Sequence, residues 1–337
     1  MVRLCKGLTI GISVWLLCLP AFGREAKLEI RVPKTPAASG KCLLLPAPES
    51  LVEGDAVAWY EKAAKTLPSD GNMDQIRQWL DMPIGQLPLQ QVEDTLQKYQ
   101  ESLKCAAKAA RCKDCKWSDL EPGETFPGEQ SYRPLAQAIA LWARLETARQ
   151  EYDGALLALQ TGFGMARHLG QVPIIVQTLL GTAVGGVMCK EVEQFIQGEN
   201  APNLYPALAG MPKPFIDVEK AIEAERKANQ AANPQLQQQV ESQLKAAYDR
   251  SRMVTRSVDV NLGILQCVEA IRSYAASHGG QLPQSLNDMA GVSLPKDPVS
   301  GEAFRYTRTG ATAVLESAIP TGGTANNRFR YEIAVKN

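Results

Sequence analysis

Histidine is almost missing from this chain: 337 residues carry two, His168 and His278, far apart. Such scarcity leaves little material for a His-rich metal site or an imidazole base. Net charge is missing as well. Lys and Arg number 36 against 36 Asp and Glu, which excludes a broad basic surface for counterion-driven nucleic-acid binding. Beyond the N-terminal segment no apolar run is long enough to span a bilayer. The longest, Ile174 to Met188, is about 15 residues and carries Gln177 and two threonines. Gly181, Gly185 and Gly186 have neither a strand before them nor a P-loop lysine after them, so they read as close-packing positions rather than phosphate binders. No nucleophile elbow, zinc-protease or kinase signature occurs, and no acidic pair stands out for glycoside chemistry. What is present, 45% hydrophobic and 21% charged residues, is the composition of a folded globular chain long enough for about two domains.

The first 23 residues, MVRLCKGLTIGISVWLLCLPAFG, read as an export signal. Arg3 and Lys6 form a basic start, Leu8 to Leu19 an apolar stretch too short to span comfortably, and Ala21-Phe22-Gly23 a small-residue cleavage site. Cleavage is expected after Gly23. The protein would then be exported to the periplasm or beyond, with no integral membrane span; the rival reading is an uncleaved N-terminal anchor. Removing the segment takes two cations and no acid, leaving 34 against 36.

Export bears on the six remaining cysteines, Cys42, Cys105, Cys112, Cys115, Cys189 and Cys267. An even number in an oxidising compartment points to disulfides whose connectivity the sequence does not fix. Cys105 and Cys112 are seven residues apart on one helix face, roughly 10 Å at 1.5 Å rise each, which is beyond disulfide reach. Cys112 and Cys115 are close enough to bridge where the helix ends, leaving Cys105 to pair at a distance, with Cys42 a candidate. The alternative for Cys112-Lys113-Asp114-Cys115 is a redox pair. It is disfavoured because the motif follows a helix C-terminus, where the dipole opposes a thiolate, although Lys113 and Lys116 act the other way. No cofactor or metal is expected.

Organisation follows from periodicity. Residues 24–54 read as extended or irregular, with a short strand in KLEIRV; residues 55–257 as a helical body; residues 258–337 as a small α+β domain. Within the body, 133–169 form a helix pair, 173–197 a third helix, and Pro234 should interrupt a charged helix over 217–257. The last part places an amphipathic helix ending at Gly279-Gly280 before three short antiparallel strands, AFRYTRT, ATAVLESA and RFRYEIAVK. His168 and His278 read as helix-terminal residues favoured by the dipole. Trp59, Tyr60, Trp79, Trp117 and Trp142 read as core rather than groove.

ALWARLETARQEYDGALLALQTGFGMARHLG, with Trp142, Tyr152, Ala155 and Leu159, resembles a single tetratricopeptide-like hairpin. RSYAASHGGQLPQSL followed by LPKDPVSGEAFRY resembles the C-terminal part of type II secretion pseudopilins, through Tyr274, Gly280, Leu282-Pro283, Leu286, Pro295, Asp297-Pro298, Gly301, Phe304 and Tyr306. That resemblance implies that these residues set turns and packing in a helix-plus-sheet head. The family's calcium site is not implied here, since Thr321 to Asn327 contains no acid, and pilin-like polymerisation is not implied because the apolar segment precedes the cleavage site. The whole resembles exported bacterial proteins joining a helical body to such a module, and implies no reaction. The reading is therefore an exported, non-enzymatic binding or scaffolding protein of the cell envelope with protein partners. The alternative is an exported hydrolase or thiol-redox enzyme with its site between body and C-terminal domain.

Overall fold

The computed structural model describes residues 23–32, 42–117, 129–232, 237–289 and 291–336, and of these the side chains of 229–232 and 237–241 are not considered. The segment read as an export signal thus lies, but for Gly23, outside the described residues. Helices dominate, with a small sheet of four strands, as the mainly α reading expects.

Local chemistry sets the helix ends. After β1 (Arg24–Arg31) and β2 (Val52–Asp55), helix α1 (Ala56–Lys65) starts where Asp55 accepts from Val57 N–H at 3.1 Å, and α2 (Met73–Asp81) where Asn72 accepts from Gln75 N–H. Helices α3 (Leu89–Lys98) and α4 (Gln100–Ala110) follow, and then β3 (Cys112–Asp114), which pairs in parallel with β2. The expected pair is α5 (Glu129–Ala148) and α6 (Tyr152–Gly170). Helix α7 (Ile175–Ile196) is apolar on most sides because it is the central helix. It is the one described helix long and apolar enough to cross a membrane, yet most of it is buried within the protein. At Gly181 an added Cβ would lie 2.5 Å from Ala166 O, so glycine lets α7 approach α6 closely. Gly186, by contrast, faces open space and packs against nothing.

The C-terminal part departs from the expected boundaries. A short α8 (Tyr205–Ala209) and α9 (Glu219–Ala232) precede α10 (Gln237–Ser277), a helix of 41 residues that runs unbroken through position 257/258. It ends where Gly279 and Gly280 adopt φ of 61° and 82° and Gly280 N–H bonds back to Ala275 O at 2.8 Å. Strands β4 (Arg305–Thr309), β5 (Thr312–Glu316) and β6 (Phe329–Lys336) form the expected antiparallel meander. The sheet order is β1-β6-β5-β4, with β1 parallel to β6 and Leu28 opposite Ile333. Residues 24–31 therefore belong to the C-terminal sheet rather than to a separate irregular segment. Their alternation supplies Leu28 and Ile30 to the same buried face as Tyr331 and Ile333. Tyr331 fixes that face to the helices, its hydroxyl lying 2.6 Å from Glu193 Oε1 on α7 and 2.9 Å from Asn261 Oδ1 on α10. Arg24 closes the group with a 2.7 Å ion pair to Glu193. One hydrophobic core runs from the α1–α4 region through α7 to the sheet.

Candidate functional site

A cleft of about 350 Å³ opens where three segments meet: the proline-rich stretch from Leu208 to Glu219, the middle of α10, and the turn at Pro295 to Pro298. The stretch is pinned to α10 because Phe215 N–H donates to Asp259 Oδ1 at 2.7 Å. Asp217 then begins α9 by accepting from Glu219 N–H at 3.1 Å. Glu219 takes Arg252 of α10 in a two-bonded fork at 2.7 and 2.9 Å, and Arg252 also reaches Asp249 at 3.0 Å. The turn is held by buried Asp297, whose carboxylate accepts from Val299 N–H and Ala318 N–H. Around it Gly301 adopts φ 74°, Phe304 packs against Gly263, and the Tyr306 hydroxyl donates to Pro283 O.

Met211, Ile216, Val218, Leu262 and the prolines give the cleft largely apolar walls. Charged groups of both signs share the lining, Lys213, Arg252, Arg256 and Lys296 with Asp217, Glu219 and Asp259. Asp259 is pushed up to about 6, mainly by burial, with Lys213 and Arg256 pulling weakly the other way. Lys213, Arg256 and Lys296 are exposed at the mouth, and none forms an ion pair among the described residues. Gln266, 3% exposed, lines the cavity, and its Oε1 has no hydrogen-bond partner. Buried carboxamides are normally satisfied, and this oxygen is sealed from solvent as well as unpartnered. No histidine or cysteine lines the cleft.

Two further cavities exist. One of about 700 Å³ lies across α10 and shares Arg252 and Arg256; another of about 450 Å³ lies between residues 43–48 and α6.

The cysteines singled out from sequence lie elsewhere and are free thiols in this structure. Cys112 begins β3 beyond the end of α4, so helix spacing does not govern its distance from Cys105. Burial raises the Cys112 and Cys115 thiols, with Asp55 acting in the same direction. The lysines that might favour a thiolate are engaged instead, Lys113 with Glu53 and Lys116 with Asp114. Burial also raises Cys105, which faces Glu101, Lys62 and Lys108, and Cys42, which faces Asp153 and Glu269. These two neighbourhoods share no charged residue.

His168 differs from the helix-end reading. It is buried with Nδ1 2.9 Å from the Tyr60 hydroxyl, and burial lowers it to about 4, so it is neutral and the dipole gains nothing from it. His278 does serve the helix end, with Nδ1 2.9 Å from Tyr274 O and its ring stacked on Tyr274. Tyr60, Trp79 and Trp117 are core, while Trp59 and Trp142 are half-buried. Among the described residues no cluster of three or more His, Cys, Asp and Glu could hold a metal.

The cleft residues carried no sequence motif. The available signal was polarity inside an apolar helix: Thr255, Asp259 and Gln266 recur at helical spacing on the otherwise apolar VDVNLGILQC face. No family model matches the chain, and neither does any curated protein or solved structure.

Proposed function

We propose that this is an exported, non-enzymatic binding or scaffolding protein of the cell envelope, and that its binding site is the cleft between the Leu208–Glu219 stretch, α10 and the Pro295–Pro298 turn. The observation that carries the reading is the cavity itself: apolar walls, charged groups of both signs and one perturbed carboxylate are what ligand sites combine. Export is supported by the basic, apolar and small-residue order of residues 1–23. The pseudopilin-like and tetratricopeptide-like resemblances support an envelope role with protein partners. A disulfide between Cys112 and Cys115 belongs to the same reading.

The alternative, an exported enzyme using this junction, draws on Asp259, whose value near 6 would suit a general base. The lining offers it neither thiol nor imidazole, and its one hydroxyl nearby, Thr255 Oγ1, is bonded to Ser251 O.

The test is site-specific photo-crosslinking in cells, with the crosslinker at Lys213 and, as control, at exposed Lys27 on the far strand β1. Binding at the cleft predicts adducts at 213 that are absent at 27. Equal adducts at both positions, or none at 213, contradict it. Turnover of a substrate by the purified protein, abolished by Asp259→Asn, would establish the enzyme instead.

A further inference from the structure

We propose that the cavity between residues 43–48 and α6 binds an aliphatic carboxylate, its chain along Leu43, Leu45, Leu51 and Met211 and its acid group on the Arg167 guanidinium. This goes beyond the binding reading above and adds a second site, since only Met211 and Pro212 line both cavities.

Arg167 carries the argument. It lies half-buried in the last turn of α6, and its guanidinium forms no hydrogen bond, ion pair or ring contact among the described residues. Every other described arginine that is at least half-buried has such a partner, from Glu193 for Arg24 to the Tyr248 ring for Arg226. Burial lowers Arg167, and no acid acts on it in the opposite direction. The α6 C-terminus favours a cation here, yet it satisfies none of the N–H donors. An uncompensated guanidinium away from bulk water is a standing cost that an incoming anion removes. Unlike Gln266 Oε1, its nitrogens are not sealed from solvent, so a ligand can reach them.

The rest of the lining agrees. Among the described residues it contains no carboxylate. Its other cation, Lys113, is already held by Glu53, and burial keeps His168 and Cys112 neutral. The cavity therefore offers one open positive charge, which suits a single negative head, and the planar fork of arginine matches a carboxylate. The walls are aliphatic, made of leucines, prolines and Met211, with no phenylalanine, tyrosine or tryptophan. Leu43 of this wall is 38% exposed, apolar surface that a bound chain would cover. At about 450 Å³ the cavity falls within the range of small-ligand sites.

The probes are octanoate, hexanoate and octan-1-ol, titrated calorimetrically into the protein purified from its own cells. Octanoate is expected to bind about tenfold more tightly than octan-1-ol, the value of a charge-assisted hydrogen-bonded pair. Hexanoate should bind about tenfold more weakly than octanoate, because two methylenes leave the wall. Arg167→Met should lower octanoate to the affinity of octan-1-ol and leave octan-1-ol unchanged. Arg167 has no partner to lose, so this variant should keep the urea midpoint of the original. Arg167→Lys, which retains the charge without the fork, should keep part of the preference. Lys113→Gln should leave it intact. Equal binding of octanoate and octan-1-ol by the unsubstituted protein overturns the proposal, as does failure of both to bind. A preference that survives Arg167→Met also overturns it; if that preference is lost in a Lys213→Gln, Lys296→Gln double variant, the acid sits in the other cleft. None of these failures touches the reading of that cleft, which the adducts at Lys213 test separately.

Discussion

Replacing Asp259 by Asn separates its charge from its hydrogen bond. Asn keeps an acceptor for Phe215 N–H, which lies 2.7 Å from Oδ1, and removes a carboxylate held in a partly closed cleft. Burial raises the group from the ordinary 3.8 to about 6. Between these values the folded protein binds more protons than the unfolded chain, so the group makes stability fall as pH rises. Above about pH 6 the charged form is a standing cost; as pH falls through 6 towards 4 that cost is lifted. At about 1.4 kcal/mol per pH unit the interval corresponds to about 3 kcal/mol, and residual solvent contact reduces this to about 2 kcal/mol. Urea titrations of both proteins should therefore show Asp259→Asn to be more stable by about 2 kcal/mol at neutral pH, the gap closing towards pH 4. A gap independent of pH, or one that favours the original protein at neutral pH, would refute the account of this carboxylate.

The remaining expectations concern the frame around the cleft. Arg144→Met should cost about 3–5 kcal/mol in urea unfolding, since it strands Glu191, its partner at 2.9 Å, and removes a donor from Trp79 O and Met82 O; a cost below about 1 kcal/mol would contradict a buried, closed network. Arg24→Met should cost about 2 kcal/mol by leaving Glu193 without its cation at the sheet junction, and Glu193→Gln in the same chain should recover much of that loss. No recovery would mean that Arg24 acts through packing alone. Thiol labelling of the protein taken from its own cells, before and after reduction, should find Cys112 and Cys115 blocked until reductant is added. Six reactive thiols without reductant would remove the proposed bridge.

Much of the helical frame was legible because its signals are local. The α5–α6 pair and the stop at Gly279-Gly280 both depend on residues within a few positions of one another. The role of KLEIRV was only half legible. Alternation identified a strand, but its partner β6 lies some 300 positions away, and a parallel pairing over that distance leaves no local mark. The continuity of α10 across 257/258 was illegible for a related reason. A change in composition from charged to apolar marks where α10 passes from surface to core, not where a helix stops. The cysteine motif drew attention because spacing is visible in a sequence. Asp259 and Gln266 did not, because their significance comes from the Leu208–Glu219 stretch folding over them. The glycines were legible at Gly181, where α6 passes close, and misleading at Gly186, which meets nothing.

The most direct measurement is native mass spectrometry of the protein isolated gently from its own cells, set beside the Lys213→Gln, Lys296→Gln double variant. A ligand-holding cleft predicts a population heavier than the bare chain by the mass of one small ligand, lost in the variant and released by mild acid or organic solvent. A single mass equal to the bare chain in both proteins would contradict it.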